Sequence, residues 1–296
     1  MQKFNKIAVY GKINLTEAGK EELAQFSQEK IVFFKSDPID QTEVLTRLKH
    51  ADAILLSWYH GLPAKTMEKL RNLKYIGICG TNLKNIAVDY AKNKGIVIKN
   101  VYDYGDEATA EFVFWQLLNL ARGYGKYQWR EQPCELFNKT IGIVGMGAVA
   151  KQVVRLALGF GMPTFYHSKS RKPEIEAKGV KYLNLQDLIK QSDIVTLHVP
   201  KNTMIFSKKE FTLMTKSKIL INTCLGKVFE VADLKNWIAK QENYAIIDAS
   251  TSEEYRQLST LPNVIYQDLI AGKTFESNER LTKKVLFNIK NFLTGA

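Results

Sequence analysis

The sequence is poor in cysteine, with three residues among 296. Cys79, Cys134 and Cys224 are odd in number and widely spaced. A disulfide framework needs paired cysteines at short, regular spacing, so this pattern excludes a small disulfide-stapled secreted protein. We therefore expect a protein of the reducing cytoplasm.

Long apolar runs are absent as well. The longest, residues 112–121, is interrupted by Gln116 and Asn119 and is too short to cross a bilayer. The first six residues lack the apolar core of a secretion signal. The sequence therefore predicts neither a membrane segment nor a secretion signal.

Acidic residues are scarce in the middle of the chain. Residues 151–220 contain 13 Lys and Arg against 5 Asp and Glu, which accounts for 8 of the net charge of +12. Such a surplus attracts phosphate-bearing cofactors, acidic metabolites or nucleic acid, or it is only a solvated surface. Because the sequence has neither an RNA-binding strand motif nor a zinc-finger spacing, nucleic acid is the least favoured of these partners.

Short β-branched runs alternate with helical patterns along the chain, which predicts parallel sheets with helices on both faces. The length favours two domains. Strands are predicted at residues 7–10, 31–34, 53–58, 75–79 and 96–99, then near 140–144, 163–167, 181–183, 194–198, 218–222, 244–248 and 263–266. Helices are predicted near residues 16–28, 41–50, 63–72, 84–94 and 276–293.

A longer helix is predicted at residues 106–124. Its centre is apolar on more than one face, so the helix is either deeply buried or packed against a second subunit. We favour a homodimer formed through this helix. Residues 125–138, with Gly125 and Pro133, are predicted to be a loop that leads into the second domain.

The stretch that follows predicts a phosphate-binding turn. A β run ends just before Gly145, and an apolar helical pattern begins just after Gly147. The first glycine allows the tight turn, and the second lets the backbone approach a pyrophosphate at the helix amino end. The third glycine position of the pattern holds Ala150, which is still small enough for close packing of helix on strand. The predicted cofactor contacts of the turn are Gly145, Met146, Gly147, Ala148 and Val149.

The second strand of the same unit indicates which dinucleotide is bound. NAD-specific domains place an acidic residue about 20 residues after the turn, where it binds the ribose hydroxyls. Here no acid occurs from Lys139 to Pro173, and the strand ends in a segment that contains Ser168, Lys169 and Arg171. These side chains suit a 2′-phosphate, so NADP(H) is the preferred cofactor and NAD(H) stays an alternative. The competing interpretation is that they are ordinary loop residues.

Four further stretches, taken with the turn, carry a family resemblance. They are residues 73–77 (LKYIG), 108–111 (ATAE), 192–200 (SDIVTLHVP) and 219–223 (ILINT). Over almost its whole length the chain resembles the D-isomer-specific 2-hydroxyacid dehydrogenases. The serine and basic residues at 168–171 resemble the NADPH-preferring glyoxylate and hydroxypyruvate reductase branch.

The resemblance implies two Rossmann-like or flavodoxin-like domains with parallel sheets, the cofactor domain being inserted in the substrate domain. The substrate domain would be residues 1–100 plus 273–296 and the cofactor domain residues 101–272, with the active site in a cleft. Further cofactor contacts implied by the resemblance are Val199 and Pro200 on the adenine side, Thr223, Cys224 and Leu225 along the nicotinamide, and Asp248 at the carboxamide.

The family's chemistry uses an Arg that holds the substrate carboxylate, a His that donates the proton and a Glu that orients the His. This chain has Leu225 at the Arg position and Leu269 at the His position, and only Glu253 stands at the Glu position. Losing the Arg removes a contact of about 1.5–3 kcal/mol, and losing the general acid forfeits about 10²–10⁴ in rate. Asp268, beside the vacated His position, is the nearest alternative proton donor. Glu253 and Asp268 are therefore the candidate catalytic residues, although a surface or structural role for either is the simpler alternative.

Two functions fit these residues. The first is an NADPH-dependent oxidoreductase acting on a small-molecule carbonyl or other acceptor that the usual Arg does not hold; an anionic acceptor stays open. The second is a catalytically inactive protein that senses or regulates through NADP(H) binding. Steady NADPH consumption would separate the first from the second. No metal ligand set is predicted.

Overall fold

The computed structural model describes residues 2–215, 217–239 and 242–295. The chain forms two compact units. One consists of the residues up to Tyr104 together with those from Phe275 onward, and the other is the contiguous segment Gly105–Thr274. Every strand pair in both sheets is parallel, which confirms the predicted α/β class.

The first unit is built on a four-stranded sheet whose spatial order is the order of the chain. Its second and third strands are buried along their whole length, as expected when helices cover both faces of a parallel sheet. The strands are β1 (Ile7–Val9), β2 (Ala53–Ser57), β3 (Tyr75–Cys79) and β4 (Val97–Lys99).

The strand predicted at residues 31–34 is wrong, because this segment forms no strand. Its aromatic rings instead lie beneath cations: the guanidinium carbon of Arg47 is 3.8 Å from the ring centroid of Phe34, and the ammonium of Lys20 is 5.3 Å from that of Phe33. Side-chain packing therefore holds an apolar run that sequence periodicity alone cannot distinguish from a buried strand.

The second unit is built on a seven-stranded sheet in the spatial order β11-β10-β9-β8-β5-β6-β7. The strand order reverses between β5 and β8, and in open α/β sheets of this type ligands bind at that point, outside the carboxyl ends of the strands. The strands are β5 (Ile141–Val144), β6 (Thr164–His167), β7 (Lys181–Tyr182), β8 (Ile194–Leu197), β9 (Ile219–Asn222), β10 (Tyr244–Asp248) and β11 (Val264–Gln267).

Helices connect the strands in both units, as parallel pairing requires. A 3₁₀ helix, Glu253–Thr260, lies between β10 and β11. The α-helices are α1 (Glu17–Ala24), α2 (Gln41–Leu48), α3 (Ala64–Met67), α4 (Val88–Asn93), α5 (Asp106–Arg122), α6 (Ala148–Gly159), α7 (Pro173–Glu176), α8 (Leu185–Gln191), α9 (Lys208–Leu213), α10 (Val231–Ile238) and α11 (Phe275–Thr294).

Helix α11 completes the core of the first unit although it lies late in the chain. Leu281, Val285 and Ile289 on its apolar face are buried in one cluster with Phe4 and Leu23. The amphipathic pattern predicted for residues 276–293 therefore corresponds to a face that packs within the chain.

Helix α5 buries most of its apolar residues inside the second unit. Phe112, Val113, Phe114 and Leu117 are all buried by the same chain, whereas Trp115 is 49% exposed. Deep burial therefore accounts for most of the apolar pattern that suggested a subunit contact, and Trp115 is the part that it does not explain.

Candidate cofactor and active site

Gly145 forms the turn between β5 and α6, and the chain itself requires a glycine there. Its φ is +96°, a conformation that other residues adopt rarely. A Cβ at this position would lie 2.2 Å from the carbonyl oxygen of His198, which follows β8. The turn is thereby held against the end of the neighbouring strand.

Gly147, in contrast, is required by neither conformation nor packing within the chain. Its φ is −84°, which any residue adopts, and a Cβ there would meet nothing within 4 Å. Gly147 is the N-cap of α6, and no side chain caps this helix, so its first N–H groups are left for an outside acceptor. An open space before an uncapped, positive helix end fits a pyrophosphate.

The other residues of the turn divide between core and surface. Met146 and Ala150 are buried in the core of the second unit. Ala148 is exposed and Val149 is partly buried. Met146 can thus reach a ligand only through its backbone, while Ala150 gives the close packing of helix on strand that its small size predicts.

His198 does not add positive charge beside this turn. Its Nε2 is 2.9 Å from Thr196 Oγ1, and burial of the ring lowers the pKa of His198 to about 4. The imidazole is therefore neutral at pH 7, and the helix amino end rather than a histidinium provides the positive field of the turn.

The loop after β6 holds the three residues that the sequence assigns to a 2′-phosphate. Ser168 donates from Oγ to the carbonyl oxygen of Ser170 at 2.6 Å. Lys169 is exposed, and no carboxylate in the described part of the chain forms a salt bridge with it. Arg171 is ion-paired with Glu176, at the end of α7.

Glu176 lies beside this loop, although the sequence has no acid from Lys139 to Pro173. Helix α7 turns back over the end of β6 and so brings Glu176 to the loop. Tyr166 on β6 donates from its hydroxyl to Glu176 Oε1 at 2.7 Å, and the backbone N–H of Lys172 donates to the same hydroxyl at 2.6 Å. The bonds from Arg171 and Tyr166 lower the pKa of Glu176 to about 2. Arg171 is thereby fixed in place, whereas Lys169 has no salt bridge among the described residues.

The residues assigned to the adenine and nicotinamide sides lie where β8 and β9 end. Val199 is partly buried and Pro200 exposed, and the N–H of Val199 donates to Cys224 Sγ at 3.3 Å. The thiol of Cys224 donates to the carbonyl oxygen of Leu197 at 3.1 Å, and burial raises the pKa of Cys224 to about 12. Cys224 is therefore a protonated, enclosed side chain and no nucleophile.

Asn222, at the end of β9, was noted in the sequence only as part of the family motif. It is fully buried, and its Oδ1 accepts from the N–H of Cys224 at 3.0 Å. Its Nδ2 has no hydrogen-bond partner among the described residues. Thr223 and Leu225, on either side of Cys224, are partly buried.

Asp248 is fully buried at the end of β10. Its Oδ1 accepts from the Ser250 hydroxyl at 2.6 Å and its Oδ2 from the N–H of Ala271 at 2.8 Å. Burial raises the pKa of Asp248, while these hydrogen bonds oppose the rise. The Ser250 hydroxyl also donates to the carbonyl oxygen of Thr223 at 3.4 Å. One hydroxyl therefore joins Asp248 and Thr223, which are both predicted nicotinamide contacts.

The two candidate catalytic acids meet at one arginine that sequence reasoning missed. Arg256, in the 3₁₀ helix, lies 2.9 Å from Glu253 Oε1 through Nε and 3.0 Å from Asp268 Oδ1 through Nη2. Both carboxylates are largely exposed. Leu269, at the vacated His position, is 43% exposed next to Asp268. An acid–arginine–acid set thus contains the residue at the family's Glu position and the neighbour of the residue at its His position.

Two absences concern the described residues. No cluster of three or more His, Cys, Asp or Glu side chains among them is arranged to hold a metal ion. None of their helices combines the length and apolar composition needed to span a bilayer.

The strand order and the glycine turn at its reversal point define a Rossmann-type dinucleotide-binding protein. Residues 114–271 match the family model for the NAD binding domain of D-isomer specific 2-hydroxyacid dehydrogenases. The chain is 30% identical over 285 residues to a glyoxylate reductase of Thermococcus kodakarensis, a match that covers 87% of this chain and 84% of that relative. The chain therefore belongs to the D-isomer-specific 2-hydroxyacid dehydrogenase family of oxidoreductases.

Other known proteins agree with this placement. A hydroxypyruvate reductase of Blautia hydrogenotrophica is 25% identical over 291 residues, with 90% of each chain covered. Among solved structures, an acyclic imino acid reductase in complex with NADPH and D-Arg has a TM-score of 0.83 at 24% identity, with 98% of each chain covered. The D-lactate dehydrogenase of Escherichia coli has a TM-score of 0.84 at 22% identity, with 98% of this chain and 97% of that chain covered. At these identities the two structures show a shared fold.

Proposed function

We propose that the chain is an NADP(H)-dependent reductase of its family, with an acceptor that needs neither the family's Arg nor its His. Gly147 is the main support for the cofactor proposal. Neither its conformation nor its packing requires a glycine, and its missing side chain leaves room for a pyrophosphate in front of an uncapped helix. The proposal of an atypical acceptor is supported by Leu225 and Leu269, which occupy the family's Arg and His positions.

Each part of the dinucleotide would have its own contacts. The backbone N–H groups at the start of α6 would hold the pyrophosphate, and Met146, Ala148 and Val149 would contribute backbone or surface at the turn. Lys169, with Ser168 and Arg171 beside it, would bind the 2′-phosphate. The remaining contacts would be Val199 and Pro200 near the adenine, and Thr223, Cys224, Leu225 and Asp248 near the nicotinamide. A bound nicotinamide coenzyme supplies a hydride to an electrophilic carbon.

The acceptor is proposed to differ from glyoxylate, the substrate named for the T. kodakarensis relative. Leu225 cannot form the charge-assisted bond of about 1.5–3 kcal/mol that an arginine gives to a substrate carboxylate. Leu269 cannot donate a proton, and such a donor contributes about 10²–10⁴ in rate. Glu253 and Asp268 are the remaining candidate acids, and both form salt bridges with Arg256.

The test is a calorimetric titration of the purified protein with NADPH and with NADH, followed by NADPH oxidation assays on carbonyl compounds. The proposal expects tighter binding of NADPH than of NADH, and slow or absent turnover of glyoxylate and hydroxypyruvate. Efficient reduction of either acid would overturn the atypical acceptor, and equal binding of the two coenzymes would overturn the NADPH preference.

A specific observation also favours a second function, that of an inactive NADP(H) sensor. Asp248 is enclosed by Ser250 and Ala271, and Glu253 and Asp268 are ion-paired, so each of these acids already has a partner. This function expects NADPH binding with no turnover of any acceptor in the panel.

We also propose that the chain forms a homodimer through α5. Trp115 supports this proposal, because a large aromatic side chain half-exposed on an otherwise buried helix is typical of an interface residue.

A further inference from the structure

The vacated catalytic positions present an apolar surface. Leu269 and Ile270 are 43% and 39% exposed, and Leu225 is partly buried. Residues of this kind give an acceptor neither a proton nor a fixed positive charge. The acceptor must therefore be reducible without either.

Arg256 does not replace the missing cation. Two of its N–H directions are occupied by Glu253 and Asp268, at 2.9 and 3.0 Å. A substrate carboxylate that approached the other N–H groups of Arg256 would meet the repulsion of both carboxylates.

The ion-paired groups around these positions include more carboxylates than cations, in a chain whose net charge is +12. Next to the acid–arginine–acid set, Lys227 is paired with Glu230 at 2.7 Å and with Glu254 at 3.2 Å. The six ion-paired side chains comprise four carboxylates and two cations, and Lys235, which donates to Gln257 of the same 3₁₀ helix at 3.1 Å, adds a third cation. This local excess of negative charge disfavours an anionic 2-oxo acid and favours a cation.

Resting on the reductase function proposed above, we propose that the acceptor is a protonated imine, formed in solution from a carbonyl compound and a primary amine with loss of water. An iminium ion already carries the proton and the positive charge that the family's His and Arg supply to a carbonyl substrate. The hydride adds to the iminium carbon, and the C=N π electrons become the nitrogen lone pair. The products are a secondary amine and oxidised coenzyme, so no further proton donor is needed.

The first experiment measures NADPH oxidation with propanal alone, with pyruvate alone, and with each carbonyl compound plus methylamine. Since carbonyl reduction without a general acid forfeits about 10²–10⁴ in rate, the amine is expected to accelerate oxidation about 10²-fold or more. Coenzyme deuterated at C4 is expected to place deuterium on the carbon bonded to nitrogen, as read by mass spectrometry. An equal rate without amine would overturn the proposal.

The second experiment measures binding rather than turnover. Calorimetry on the protein loaded with NADP⁺ is expected to show binding of protonated N-methylpropylamine, the product of propanal and methylamine, and none of lactate. The double variant Glu253→Gln/Asp268→Asn leaves Arg256 unpaired. It is expected to weaken amine binding by about 2- to 5-fold, the range for exposed charge pairs, and to gain binding of lactate.

The matched control is Glu131→Gln, which removes an exposed carboxylate in the loop before β5 and is expected to change neither binding constant. Tighter binding of lactate than of the amine by the unaltered protein would overturn the proposal. If NADPH itself fails to bind, the reductase function fails too. If NADPH binds but the amine neither accelerates NADPH oxidation nor binds as the product, the iminium proposal alone is overturned.

Discussion

At the scale of single residues, Gly145 and Gly147 show how one sequence pattern combines two different requirements. The first glycine is fixed by its positive φ and by the carbonyl oxygen of His198. At the second glycine, a Cβ would meet no atom within 4 Å. A substitution at Gly147 therefore separates ligand binding from folding.

Gly147→Ala is expected to weaken NADPH and NADH binding together, because the added methyl group occupies the space in front of the helix amino end. Its effect on stability should be small, up to about 1 kcal/mol, since alanine is a poorer N-cap than glycine. Calorimetry and thermal unfolding measure the two effects. Gly159→Ala, at the other end of α6 and also in open space, is the matched control and should leave binding unchanged. Unaltered coenzyme affinity in Gly147→Ala would contradict the pyrophosphate assignment.

Lys169 and Arg171 are expected to differ although both are basic residues of one loop. Lys169→Gln should weaken NADPH binding by about 10- to 150-fold, the equivalent of a charge-assisted contact of about 1.5–3 kcal/mol, and leave NADH unchanged. Arg171→Gln should cost less selectivity, because Glu176 already neutralises this arginine. Parallel losses for NADPH and NADH in Lys169→Gln, measured by calorimetry, would refute the 2′-phosphate contact.

At the scale of elements, α7 and the end of β6 are joined by Glu176, and this junction should be visible in the pH dependence of stability. The pKa of Glu176 is lowered in the fold from its ordinary value of 4.5 to about 2. A carboxyl group with a lowered pKa stabilises the fold above its ordinary pKa, and this contribution is lost as the pH falls from 4.5 towards 2.

Glu176→Gln should therefore lower the melting temperature at pH 7, and the difference from the unaltered protein should shrink below pH 4.5. Thermal unfolding across this range, followed by circular dichroism while both proteins unfold cooperatively, gives the measurement. Glu21→Gln on α1 is the control, because Glu21 is an exposed carboxylate with no salt bridge among the described residues. A difference that stays constant with pH would show that the ion pair with Arg171 contributes nothing.

Sequence periodicity predicted most helices and strands, and the elements and contacts that it did not predict have physical causes. The central strands of the second unit, β5, β8 and β9, are continuous buried runs that the sequence shows directly, and the glycine turn has its own pattern. Residues 31–34 have the same composition but pack under Arg47 and Lys20. The contacts of Glu176 and Arg256 could not be predicted from the sequence. They depend on how a short helix turns back, which residue spacing does not encode.

At the scale of the whole molecule, the homodimer proposal rests on Trp115. Trp115→Glu places a charge in the proposed interface and should convert a dimer to a monomer, as measured by sedimentation velocity. Phe287→Glu, at an aromatic residue 61% exposed on α11, is the control and should leave the sedimenting mass unchanged. A monomeric unaltered protein would contradict the proposal.

The division of the chain also sets an order for folding during synthesis. The unit Gly105–Thr274 is contiguous and can close its core once its own residues have left the ribosome. The strands made earliest must wait for α11, because Phe4 and Leu23 share a cluster with Leu281 and Ile289. Until then, an apolar face of the nascent chain stays uncovered and open to chaperones.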